Sequence, residues 1–236
     1  MQISQLADSF LRKNTLSSGN VGNFKSGTID RNWRFYHVVQ RTYNSRNLLT
    51  PAVGTFYNNS LNRQCVEKGV VLLCNVAMPT HTHEVFFTED VELISEARRI
   101  AHRGLSAAIR NELKSKGYSV PKRVFDLNPG YIAIKNRIQL LNTLKYIWEN
   151  DQSLLRDNQR PAYSCFYHWE KDNCKSQCVE IFEVLFDTSI KTLMNVFNEG
   201  NRSYREFANR FKQKKYLEED RIIFPRKIPS EQDSKE

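Results

Sequence analysis

Two apolar runs joined across a single proline turn constrain this chain more than any other feature. Gly69–Ala77 (GVVLLCNVA) and His81–Thr88 (HTHEVFFT) are short, rich in β-branched and aromatic residues, and separated only by Met78-Pro79-Thr80. Runs of this kind, bounded by turn signals, read as the two strands of one hairpin. Side chains on a strand alternate between faces, so His81 and His83 share one face and Thr82 takes the other. Two imidazoles side by side on a strand supply half of a divalent-metal site. A solvated pair of histidines at a strand edge would have the same sequence, and an isolated His-x-His does not choose between the two.

A second segment bears on that choice. Within Arg137–Asn150, apolar residues at 138, 140, 141, 144, 147 and 148 recur at helical spacing and predict an amphipathic helix. Tyr146 and Asn150 stand one turn apart, on a common face. From there a phenol oxygen and an amide oxygen can approach the two histidines together, one as a nucleophile and the other as a neutral third ligand. Taken alone, Tyr146 would suit an ordinary half-buried aromatic equally well.

The remaining elements give an order. A strand over Trp33–Arg41 is followed by a helix over Ala52–Lys68, the two hairpin strands, and a helix over Val91–Lys116. A strand near Gly130–Lys135 then leads into the tyrosine helix. The order βαββαβ is the ferredoxin-like pattern, an α+β fold whose third strand lies inside an antiparallel sheet. Residues 1–30 read as a flexible arm, with a short helix at Ile3–Arg12 and a Gly/Ser/Asn-rich run to Gly27. Residues 31–151 form the chemical domain and 152–228 a helical extension. That extension has helices expected at Cys178–Leu185, Ser189–Asn198 and Arg202–Tyr216, with Gly200 as a stop. The polar end, 229–236, reads as disordered.

Four segments, in order, carry a resemblance to a known family. Trp33-Arg34-Phe35-Tyr36-His37-Val38-Val39-Gln40-Arg41 is similar to an opening strand of the form Tyr-His-Val-x-x-Arg. Val76-Ala77-Met78-Pro79-Thr80-His81-Thr82-His83 resembles Met-Pro-x-His-x-His, and Tyr131-Ile132-Ala133-Ile134-Lys135-Asn136 resembles the strand before a catalytic helix. Tyr146-Ile147-x-x-Asn150 is similar to Tyr-Ile-x-x-Asn-Pro. Together they resemble the REP-associated tyrosine transposases, single-tyrosine HUH nucleases related to insertion-sequence transposases. Departures from that pattern are Asp151 in place of proline, Thr80 in place of asparagine, and Ile132 where a polar residue is common.

The resemblance implies a metal-dependent endonuclease and strand transferase acting on single-stranded DNA at hairpin or REP-like repeats. Tyr146 would be the nucleophile, leaving a 5′-phosphotyrosine. His81, His83 and Asn150 would hold a divalent metal, Mg²⁺ or Mn²⁺. A monomer and a homodimer with exchanged tyrosine helices are both known arrangements in such families. A catalytically silent DNA-binding derivative is the alternative, since the departures at Asp151 and Ile132 permit one. A small-molecule hydrolase would need further ligands, and His37, His102 and His168 are scattered in the sequence.

Charge agrees with a polyanionic partner. The chain of 236 residues carries a net charge of +9, and basic proteins of this kind favour nucleic acid. Expected DNA contacts are Arg34, Arg41, Arg98, Arg99, Arg103, Lys122, Arg123, Lys135 and Arg137. The helix from Val91 to Lys116 is the densest in cations, and such residues would position phosphates rather than read bases. No apolar run reaches membrane-spanning length and no leader opens the chain, so the expected location is cytoplasmic, beside the nucleoid, with no membrane partner. Five cysteines without framework spacing suit a reducing compartment. Cys165, His168, Cys174 and Cys178 cluster in sequence, but C-x2-H-x5-C-x3-C is not a standard zinc-finger spacing.

Overall fold

A computed structural model describes residues 34–88, 90–134, 136–156, 159–170, 181 and 185–212. The order is β1 (Arg34–Arg41), α1 (Pro51–Glu67), β2 (Val71–Ala77), β3 (His81–Thr88) and α2 (Val91–Ser115). Then come β4 (Gly130–Ile134), α3 (Arg137–Arg156), β5 (Tyr163–Ser164), α4 (Cys165–Glu170), α5 (Ile190–Asn198) and α6 (Asn201–Lys212). The sheet order is β4-β1-β3-β2-β5, and each neighbouring pair is antiparallel. The chain is therefore α+β, with the expected βαββαβ order and β3 in an interior position between β1 and β2.

Each face of the sheet is covered by its own core. Tyr36, Val38, Leu72, Ala77 and Phe86 pack under α1 and α2, whereas Phe35, Val71, Val85, Phe87 and Ile134 pack under α3 and the C-terminal helices. Strict alternation assigns these faces along β1 and β3. In β2 a bulge between Leu72 and Cys74 resets it, so Leu73 and Cys74 both join the α3 side.

Local signals set the helix starts. Pro51 occupies the first turn of α1, where its missing N–H costs nothing. The Asp90 carboxylate accepts from the Glu92 N–H at 2.8 Å to start α2, and the Asn136 side chain accepts from the Gln139 N–H at 2.8 Å to start α3. Gly54 is required for a different reason. A Cβ there would lie 2.4 Å from the Ala162 carbonyl oxygen, so only glycine lets the strand-leading segment pass across α1.

Two boundaries differ from expectation. Helix α3 does not stop at Asn150 but runs to Arg156, so a division at 151/152 would cut a helix. Asp151, inside the helix, is buried and accepts from the Ser164 hydroxyl at 2.9 Å, which ties α3 to β5. The C-terminal residues also share the core beneath the sheet, through Phe166, Trp169, Leu193 and Phe197. Of the three expected C-terminal helices, Ser189–Asn198 is α5 with Ser189 as its cap, accepting from the Thr192 N–H at 3.1 Å. The last is α6. Most of Cys178–Leu185, the Ile3–Arg12 helix and the tail from 213 onward lie outside the described residues.

Candidate functional site

One face of the sheet and one stripe of α3 enclose an open cleft of about 860 Å³. From β1 come His37, Val39 and Arg41, from β3 His81 and His83, and from β4 Gly130 and Ile132. All are alternate residues of their strands, as a single sheet face requires. From α3 come Gln139, Thr143, Tyr146 and Asn150, a polar stripe at helical spacing. The opposite stripe, Leu140, Leu141, Leu144, Ile147 and Trp148, is buried in the core. The amphipathic pattern that folds the helix therefore also aims Tyr146 at the histidines.

The imidazoles form a chain of contacts. Thr80 Oγ1 lies 2.9 Å from His81 Nδ1, His81 Nε2 lies 3.0 Å from His83 Nε2, and His83 Nδ1 lies 3.0 Å from His37 Nε2. The Tyr146 ring stands edge-on to His83, with centroids 5.6 Å apart, and 6.4 Å from the ring of His37. Tyr146 is 52% exposed, so its hydroxyl can meet a substrate. Asn150 donates its amide N–H to the Tyr146 carbonyl at 3.0 Å, which leaves the oxygen as the end of the amide its own helix does not use.

Burial keeps the histidines neutral. His37 is pushed down to about 4 by burial. His83 falls to about 3, mainly through burial, with the neighbouring His81, His37 and Arg41 adding to it. His81 is lowered by burial and then by the Arg41 charge. Neutral imidazole is the form that ligates metals.

Among the described residues no group of three or more His, Cys, Asp or Glu side chains is arranged to hold a metal. Any ion here would rest on two imidazoles and neutral oxygens. The pair fits that demand. Ligand atoms about 2.1 Å from one ion and at right angles to each other lie about 3.0 Å apart, which is the separation of the two Nε2 atoms. Presenting both lone pairs requires the protons on both Nδ1 atoms. Thr80 Oγ1 and His37 Nε2 are placed to accept them.

His37 is the residue that sequence reasoning missed as a functional group. It is not scattered: β1 pairs with β3 so that Val39 faces His83, and His37 lies on the diagonal of the same face. The stripe members Gln139 and Thr143 were also missed, although their spacing from Tyr146 carried the signal.

The expected DNA contacts separate. Arg41 is exposed and lines the cleft. Lys122 and Arg123 are exposed, the latter stacked at 5.3 Å on the ring of Tyr43, and Arg137 is partly buried at the start of α3. Arg99 and Arg103 are exposed on α2, the layer across the sheet from the cleft. Lys135 and the side chain of Arg34 lie outside the described residues.

Arg98 is a correction. It is 4% exposed and donates from Nε to Glu84 Oε2 at 3.0 Å, so it faces the core and not a phosphate. Around the pair, the Tyr57 hydroxyl donates to Glu84 Oε1 at 2.6 Å and meets His102 Nε2 at 2.8 Å. The Arg98 guanidinium lies 5.9 Å from the centre of the Tyr131 ring. Tyr131 thus belongs to the α2 side, where its hydroxyl meets Ser95 Oγ at 3.0 Å. Of the four residues in the cysteine-rich segment, Cys165 is buried with its Sγ 3.4 Å from that of Cys74. His168 stacks on Tyr163, and Cys174 and Cys178 lie outside the described residues.

Comparison with known proteins adds a distant likeness. No family model matches the chain, and no curated protein matches it. Among solved structures, it is similar to a REP-associated tyrosine transposase bound to a REP hairpin. There the TM-score is 0.42 at 13% identity, over 56% of this chain and 74% of the other. It is similar also to a protein from Deinococcus radiodurans R1 assigned as a transposase, with a TM-score of 0.37 at 14% identity, over 53% of this chain and 97% of the other. Among the described residues no helix is long and apolar enough to cross a membrane.

Proposed function

We propose that this chain is a transposase-like nuclease that cleaves single-stranded DNA through Tyr146. The observation that carries the reading is the meeting of three elements at one point. The interior strand β3 presents two facing imidazole nitrogens, β1 backs them with a third imidazole, and α3 lays an exposed phenol beside them. A divalent cation, Mg²⁺ or Mn²⁺, held by His81, His83 and Asn150, would supply positive charge against the scissile phosphate.

The chain's own residues supply the rest. Thr80 and His37 keep the Nδ1 protons of His81 and His83 in place, so that both Nε2 lone pairs face inward. Arg41, at the mouth of the cleft, offers a phosphate contact. The Tyr146 oxygen attacks phosphorus as its proton leaves. The bond from phosphorus to the 3′ oxygen breaks, giving a 5′-phosphotyrosine and a free 3′-hydroxyl. Because the phosphodiester is exchanged and not hydrolysed, resealing or transfer to a second 3′-hydroxyl needs no nucleotide triphosphate. The cleft is open on one side, which suits a single strand or the unpaired foot of a hairpin.

The test is incubation of the full chain with labelled single-stranded DNA carrying inverted repeats, with and without Mn²⁺. A metal-dependent covalent protein–DNA band is expected. DNA binding without any adduct, across hairpin substrates and both metals, would leave a silent DNA-binding derivative as the correct reading.

A further inference from the structure

A second concavity, of about 340 Å³, shares Tyr146 with the cleft and has no histidine in its lining. Its walls are Asn142, Lys145, Tyr146 and Glu149 of α3, and Asn201, Tyr204 and Arg205 of α6. Asn142 and Tyr146 line the main cleft as well, so the two hollows meet across the tyrosine.

The outer wall is held firmly. The Tyr204 hydroxyl donates to Asn142 Oδ1, and the Tyr204 ring packs 6.0 Å from that of Phe197. Between the helices, Lys145 is buried under the rings of Trp148, Phe197 and Tyr204, with Nζ 4.4, 5.7 and 5.7 Å from their centroids. Its charge is matched by Glu149 at 3.2 Å. That pairing neutralises the one carboxylate lining the groove. Helix α6 carries Arg202, Arg205, Arg210 and Lys212 against the single acid Glu206. Glu206 is taken by Arg202 at 3.3 Å, and no carboxylate among the described residues pairs with the exposed Arg205. An unopposed guanidinium beside amide and phenol groups, on a fixed wall, suits a phosphodiester.

We propose that α6 is the second wall of the nucleic-acid track, with Arg205 binding a backbone phosphate of the single strand next to the one Tyr146 attacks. This rests on the nuclease reading above. It assigns the C-terminal helix to substrate binding beyond its packing role, and makes Tyr146 the midpoint of the track.

Fluorescence anisotropy of labelled oligo(dT) on full-length Tyr146→Phe protein tests this without cleavage. Arg205→Gln should weaken binding about fivefold at 0.1 M salt and flatten the plot of log affinity against log salt by about 0.7. Arg210→Gln, which removes the same charge from the same helix outside the groove and leaves the Arg202–Glu206 pair intact, should leave the slope unchanged. Photocrosslinking with 4-thiothymidine oligonucleotides should label the Asn201–Lys212 peptide. Equal slopes for Arg205→Gln and its parent, or crosslinks confined to the sheet face, would overturn the α6 assignment and leave the nuclease reading standing. Failure of the parent protein to bind single strands at all would overturn both.

Discussion

Replacing Arg98 by Met separates two roles that the sequence leaves open. The structure buries Arg98 and Glu84 together, at 4% and 0% exposure, with 3.0 Å between Nε and Oε2. At an effective dielectric constant of about 20, opposite charges at that distance attract by about 5.5 kcal/mol before desolvation. Methionine keeps the unbranched stem and its packing but strands the Glu84 carboxylate with only its Tyr57 hydrogen bond. Loss of one partner of a buried pair costs about 3–5 kcal/mol, and Tyr57 argues for the lower end. For a chain of this size that lowers Tm by roughly 2–4 °C for each kcal/mol. Urea denaturation followed by tryptophan fluorescence measures the loss directly. The double variant Glu84→Gln/Arg98→Met should recover part of it, because no charge is then left buried. DNA affinity of the folded single variant should keep its salt slope. A destabilisation below about 1 kcal/mol, together with a flatter slope, would refute the inward assignment of Arg98.

Other expectations follow from the same geometry. His37→Phe keeps an aromatic ring on β1 but removes the acceptor for His83 Nδ1, so Mn²⁺ affinity measured by electron paramagnetic resonance should fall about 10- to 100-fold. Unchanged affinity would show that His37 only fills space. His81→Ala with His83→Ala should abolish metal-dependent cleavage, whereas Asn150→Ala should retain part of it, because water can replace one neutral oxygen. Full activity in either variant would remove those residues from the metal site. Stability of the metal-free protein should fall with pH. Burial lowers His37 to about 4 and His83 to about 3, and lowers His102 as well, whereas unfolded histidine titrates near about 6.5. The unfolded chain therefore binds more protons below that point. Stability should be complete above it and decline as pH drops toward the folded values. A urea midpoint constant from pH 7.5 to 4.5 would contradict buried neutral imidazoles.

Much of this was legible in the sequence because the two periodicities involved are local. Alternation in His81–Thr88 and the helical stripe through Tyr146 and Asn150 needed no knowledge of partners, and they yielded the hairpin, the tyrosine helix and their facing polar groups. What the sequence hid was register and direction. His37 reaches His83 only through the β1–β3 pairing, which is set by the whole sheet. The bulge at Leu72/Cys74 leaves no mark in a continuous apolar run. Asp151 reads as a departure from a motif, and its tie to Ser164 depends on a strand too short to recognise. Arg98 is different, because its signal was present. It occupies the stripe Ile94, Arg98, Ala101, Leu105, and β3 carries one acid, Glu84, on the facing side of an apolar strand. A cation on an apolar stripe opposite an acid in a buried strand points to an internal pair, and cation density alone drew it toward DNA.

The central claim is that Tyr146 is the attacking group, and mapping the covalent adduct tests it most directly. The full chain is incubated with Mn²⁺ and hairpin-bearing single-stranded DNA, trimmed with nuclease, digested and sequenced by mass spectrometry, beside a Tyr146→Phe variant. Phenylalanine removes one exposed oxygen and keeps the ring against His83, so folding, metal binding and DNA binding should persist. The account predicts a nucleotide on the peptide containing Tyr146 and none in the variant. An adduct on Tyr131 or another tyrosine, or one that survives Tyr146→Phe, would contradict it.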